Sequence, residues 1–148
     1  MNTLQHLLDK IDSVVKKNNQ LLDATGGRFN VFQIIGVTTD ETRLHSAFIN
    51  ELLNVKGSHG LKDKPLKSFI RHCIDDEFDF QTMDAVSKTE HYIGVKKQDE
   101  GGRIDIIIRD NNNRAIIIEN KIYAGDQEFQ MLRYQNHAKK NYADSRLI

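Results

Sequence analysis

Two β-branched runs, Arg103-Ile104-Asp105-Ile106-Ile107-Ile108 and Ile116-Ile117-Ile118-Glu119-Asn120-Lys121, constrain this chain more than anything else in it. The segment Asp110-Asn111-Asn112-Asn113-Arg114 separates them. Branched side chains fit the pleat of a strand, and Asn and Asp tolerate turn backbone. The pair therefore reads as an antiparallel hairpin whose strands are buried on both faces. Into that apolar setting the sequence places Asp105, Glu119 and Lys121. Charges at the ends of buried strands are costly unless they are paired or bind an ion.

The remaining sequence bounds what such a hairpin can belong to. A chain of 148 residues makes one domain that buries roughly two thirds of its unfolded surface. Its 21 basic and 21 acidic side chains cancel, which argues against tight, sequence-independent binding of nucleic acid by net charge alone. The single cysteine, Cys73, excludes an internal disulfide and a cysteine zinc cluster. No apolar run approaches the roughly 20 residues that span a bilayer, and the polar start Met1-Asn2-Thr3-Leu4-Gln5-His6 is not a signal peptide. A cytoplasmic protein is expected.

Leu4, Leu7, Leu8, Ile11, Val14 and Val15 recur at helical spacing and predict a first amphipathic helix over Thr3 to Lys17. Thr25-Gly26-Gly27-Arg28 breaks it, and Phe29 to Val37 reads as helix or extended chain. A second helix is expected from Thr38 to Leu53, and a third begins at Pro65 and reaches Ile74 with Cys73 in the core. The period then changes to strands at Val86–Lys97, Arg103–Arg109 and Ala115–Ile122. A closing helix over Gln127–Lys140 follows, capped by Asp126 and turning Phe129, Met131, Leu132 and Ala138 inward. Ser145-Arg146-Leu147-Ile148 reads as a further strand that is unusually short, or as the edge of a fragment. Residues 1–37 form an N-terminal helical segment on this reading and residues 38–148 the core.

Asp105 and Glu119 offer hard anionic oxygens suited to Mg²⁺ or Mn²⁺ rather than zinc. Thirteen residues lie between them, so a hairpin can bring both to neighbouring strand positions. Glu119 and Lys121 are two apart and project from one strand face. An ammonium there can assist a hydroxide nucleophile or offset charge developing on a phosphate. An ordinary ion pair at a strand end would look the same.

Arg103-Ile104-Asp105, Ile118-Glu119-Asn120-Lys121 and Gln130-Met131-Leu132-Arg133-Tyr134 together resemble the PD-(D/E)XK nuclease superfamily. Upstream, Glu41-Thr42-Arg43-Leu44-His45-Ser46 and Gly57-Ser58-His59-Gly60 look like the helix and loop preceding the core in a bacterial branch of it. The likeness covers Thr38 to Tyr142, with Ile104 standing where the name-giving proline would be. It implies an α/β (α+β), restriction-endonuclease-like αβββαβ core: a three-stranded antiparallel meander flanked by helices, its last strand short or missing. It further implies a Mg²⁺-dependent (or Mn²⁺-dependent) nuclease acting on DNA foremost, and allows a homodimer. Asp105, Glu119 and Glu41 would be metal ligands, Lys121 and Gln130 catalytic, and Tyr134 and Arg103 substrate contacts.

Plainer readings stand beside these. Thr38 and Glu41 make a T-x-x-E capping box, which gives Glu41 a structural role. Gln130 and Tyr134 could share an exposed polar face, and Arg103 could be a solvated strand end. His45 and His59 lack a third ligand at metal spacing and read as packing or loop hydrogen bonding. Glu90, on the first strand, could point at the site or be solvated. The alternative function is a non-catalytic nucleic-acid or protein binding module that retains the fold.

Overall fold

The computed structural model describes residues 2–25, 41–121, 125 and 127–148. The chain divides into two compact units, Met1–Thr38 and Thr39–Ile148.

In the first unit, helix α1 spans Asn2–Thr25, eight residues beyond the predicted end at Lys17. Nothing in Asn18-Asn19-Gln20-Leu21-Leu22 breaks a helix, and the Lys16–Asp12 pair (2.7 Å) lies one turn apart along it. Leu4, Leu7 and Ile11 on its apolar side are more than half exposed. The Phe29–Val37 segment lies outside the described residues, as does Thr38 of the capping box.

In the second unit, the predicted helix ending at Leu53 is a π-helical turn, Glu41–Ser46, passing into α2, Ala47–Leu53. Helix α3, Lys64–Phe69, carries Pro65 in its first turn and continues as a π-helix over Ile70–Ile74. That winding corrects the placement of Cys73, which is exposed rather than core. In an α-helix residues three apart share a face. The wider π turn breaks that phase, leaving Ile70 buried and Cys73 outside.

Strands β1 (Val86–Tyr92), β2 (Arg103–Arg109), β3 (Arg114–Ile118) and β4 (Asp144–Leu147) lie in the order β1-β2-β3-β4. The first three form the antiparallel meander, and β4 joins parallel to β3. The last strand is thus short but present. Its ladder runs on past Leu147, with Ile148 N–H donating to the Ile117 carbonyl (2.9 Å) and the Ile148 carbonyl accepting from Glu119 N–H (2.9 Å). Asp110 shapes the β2–β3 turn: its Oδ1 accepts from the Asn112 and Arg114 amides (2.9 and 2.8 Å) and its Oδ2 from the Gln81 amide (3.0 Å).

Helix α4, Gln130–Asn141, begins three residues after the predicted start. Its cap is Phe129, held in the left-handed region at φ 58° with no side-chain cap bond; Asp126 lies outside the described residues. Ala138 turns inward as expected, but the rest of the inward face differs. Phe129, Met131 and Leu132 stay about two-fifths exposed, whereas Gln130, Arg133, Tyr134 and Ala138 are buried. The phase is set by Tyr134 and Ala138 packing with Ile107 and Ile117 on one face of the sheet. On the other face Ile106, Ile108, Ile116 and Ile118 pack with Leu53, Leu66, Phe78 and Phe80. Among the described residues no helix is long and apolar enough to cross a membrane.

Candidate active site

Register brings the acidic residues together. Ile106 pairs with Ile118 and Ile107 with Ile117, so one step further along the same ladder Asp105 faces Glu119. Both project toward α4, because side chains alternate and Ile107 and Ile117 already pack there. Backbone bonds hold the two strand ends in place. The Asn120 amide donates to Asp105 Oδ2 (2.9 Å), and the Glu119 amide is tied to Ile148.

The Glu119 carboxylate is the hub. Its side chain is only 8% exposed, a burial that polar partners must compensate. Lys121 Nζ donates to Oε1 at 2.7 Å, Gln130 Nε2 to the same oxygen at 2.8 Å, and the Tyr134 hydroxyl lies 3.1 Å from Oε2. Gln130 also donates to the Tyr134 hydroxyl (2.9 Å), which itself reaches the Arg103 carbonyl. Burial pushes the Tyr134 hydroxyl well above its ordinary pKa, and the charge on Glu119 adds to the push, so it stays protonated. The resemblance implies a substrate contact at Tyr134. The residue is 1% exposed, and it lines the cleft with its hydroxyl beside the Glu119 carboxylate.

Burial raises the Asp105 carboxyl above its ordinary value; the Asn120 amide pulls it down, while the charges of Glu119 and Glu90 raise it and Lys121 lowers it. A carboxylate whose charge is disfavoured by a neighbouring carboxylate is a donor that a cation would relieve. Among the described residues no group of three or more His, Cys, Asp or Glu is arranged to hold a metal. Two carboxylates suffice for Mg²⁺, which is commonly bound through one or two of them and keeps several waters. The donors present therefore fit that ion. The Glu41 side chain lies outside the described residues.

These groups line an open cleft of about 480 Å³. At its rim Arg103 Nη1 pairs with Glu90 Oε2 (3.0 Å), and Glu90 lines the cleft. Its backbone sits at φ 51° in β1. His59 is spent on its own loop, with Nε2 3.1 Å from the Asn54 carbonyl and Nδ1 accepting from the Leu61 amide (2.9 Å).

Two residues of the site were not singled out from sequence. Ser46, fully buried, accepts from Asn120 Nδ2 (3.2 Å) and links the π-helical turn to the end of β3. Arg133, 2% exposed, lines the cleft from α4. A signal existed for each: Ser46 follows His45 in the resembling helix, and Arg133 lies between Gln130 and Tyr134. A family model of the PD-(D/E)XK nuclease superfamily matches residues 29–148. No curated protein and no solved structure matches the chain.

Proposed function

The chain belongs to the PD-(D/E)XK nuclease superfamily, and from that premise we propose that it hydrolyses phosphodiester bonds of nucleic acid, DNA foremost, with Mg²⁺ or Mn²⁺ held by Asp105 and Glu119. The observation that carries this reading is the Glu119 carboxylate, fixed by Lys121, Gln130 and Tyr134 across from Asp105 in an open cleft. The backbone carbonyl of Asn120 and the side chain of Glu41 are the further oxygens we assign to the ion. When bound, the ion supplies Lewis-acid polarisation of the phosphate and lowers the pKa of water.

The chain's own groups do the rest. Gln130 gives both of its described bonds to the Glu119 oxygen and the Tyr134 hydroxyl, so it orients the carboxylate rather than floating in the cleft. Lys121, one-fifth exposed, can hold an attacking water and offset charge building on the phosphate oxygens. Arg103, released from or shared with Glu90, offers a cation at the rim for the backbone of the substrate.

The test is cleavage of single-stranded and duplex DNA and RNA with Mg²⁺ or Mn²⁺, with Glu119→Ala as control. Cleavage by the wild type and its loss in Glu119→Ala are expected, together with a rise in melting temperature on adding metal to the wild type alone. Cleavage undiminished in Glu119→Ala would overturn the assignment. A metal-induced rise without any cleavage would leave a non-catalytic binding module.

A further inference from the structure

Arg133 is the most buried cation in the described chain and the worst paired. Its side chain is 2% exposed, yet among the described residues no carboxylate pairs with it. Nη1 donates to the Glu128 carbonyl (2.9 Å), and Nε, buried, has no acceptor. A guanidinium cannot shed its charge, and a buried N–H with nothing to bond forfeits its hydration without return. Such a group is kept where an anion arrives from outside.

Of the carboxylates that line the two cavities with it, Glu100 pairs with Lys97, Asp99 stands in the adjoining cavity, and three others have partners of their own. Glu119 is taken by Lys121, Gln130 and Tyr134, Asp105 by the Asn120 amide, and Glu90 by Arg103. Arg133 lines both the cleft and an adjoining cavity of about 430 Å³. Gly102 lies beside the Arg133 side chain, in ordinary van der Waals range. It sits at φ 116°, and a Cβ there would come within 3.7 Å of Arg133 Nε.

We propose that Arg133 binds a backbone phosphate neighbouring the scissile one, through Nε and its planar fork, where it lines the cleft and the adjoining cavity. Planar, two-point recognition of phosphate is what a guanidinium does better than an ammonium. The identity of the ligand rests on the nuclease reading; the unmet donor does not. A purely structural arginine would brace the segment before α4 through Glu128 and leave Nε idle whatever the solution contains.

The test uses the full chain in EDTA, with a short single-stranded DNA oligonucleotide and the matching duplex as probes. Arg133→Gln should weaken binding about tenfold, and the slope of log affinity against log salt should fall by about one phosphate contact. Arg133→Lys should recover the salt slope but not the full affinity. Unchanged affinity and slope in folded Arg133→Gln would overturn the contact. Because that variant can fail to fold, the Arg133 Nε–H resonance of the wild type is followed as well, and it should shift on adding oligonucleotide. A resonance that does not move overturns the contact without any variant. If the wild type cleaves nothing while that resonance responds, the nuclease reading fails and the contact stands. If it cleaves with the resonance unmoved and the slope unchanged, the contact alone fails. If it neither cleaves nor binds, both are wrong.

Discussion

Lys121 and Glu119 are the residues at which a structural and a catalytic role part most cleanly. Their side chains are 21% and 8% exposed, so the 2.7 Å pair is not one of the solvated surface bridges that contribute little. Yet Glu119 keeps Gln130 and Tyr134 when Lys121 is removed, so its charge is not abandoned. Lys121→Met is therefore expected to keep the fold and metal binding, and to lose roughly a hundredfold or more in cleavage rate. Single-turnover kinetics beside a thermal melt read both quantities. A lowered melting temperature with the rate intact would make the pair structural. At this scale the sequence was informative about Asp105, Glu119 and Lys121, whose spacing encodes their common face. It also put Gln130 and Tyr134 on one face of α4, but did not tell how deeply Tyr134 is buried, which depends on which side of α4 packs.

Between elements, β1 and α4 meet through His91 and His137, whose rings lie 6.2 Å apart edge to face, with Tyr142 5.9 Å from His137. Burial lowers both imidazoles below the ordinary 6.5. Arg109 and Lys88 press on His91 in the same direction, as do His91 and Lys140 on His137. His137 Nε2 is buried without a partner, consistent with a neutral ring. Because the folded values are depressed, the unfolded chain binds more protons over this range. The stability concerned is present above the unfolded pKa of about 6.5 and is lost as pH falls through the folded values. Wild type should lose several degrees more melting temperature between about pH 7.5 and about pH 5 than His137→Gln does. Parallel pH–melting curves for the two proteins would show that this contact does not titrate.

For the whole molecule, the two units carry different burdens. Among the described residues, both apolar clusters are built from residues between Ile49 and Leu147. Residues 39–148 alone should therefore unfold cooperatively, within about 1 kcal/mol of the full chain, a shift of a few degrees. Loss of a cooperative transition in that fragment would show that the first unit is needed for folding. The same fragment tests whether the site is self-contained, since Ser46, Asp105, Glu119, Lys121, Gln130, Arg133 and Tyr134 all lie within it.

The sequence alone determined the hairpin, the bounds of β2 and the alignment of two carboxylates with a lysine. Those features follow from local rules: β-branched runs favour strands, an Asp-Asn turn reverses them, and a period of two assigns faces. Helix ends and inward faces were less legible. π winding over Glu41–Ser46 and Ile70–Ile74 leaves no mark in hydrophobic spacing, so Cys73 was misplaced. An apolar-count reading of α4 favoured Met131 and Leu132 over Gln130 and Arg133. Tertiary structure decided the latter, because the buried polar groups find Glu119 and the cleft, which lie elsewhere in the chain. Tertiary structure also seated Ser46 against Asn120, 74 residues away, and paired the four residues of β4 with β3. Such contacts depend on which backbone faces which, and no local preference of either partner encodes that.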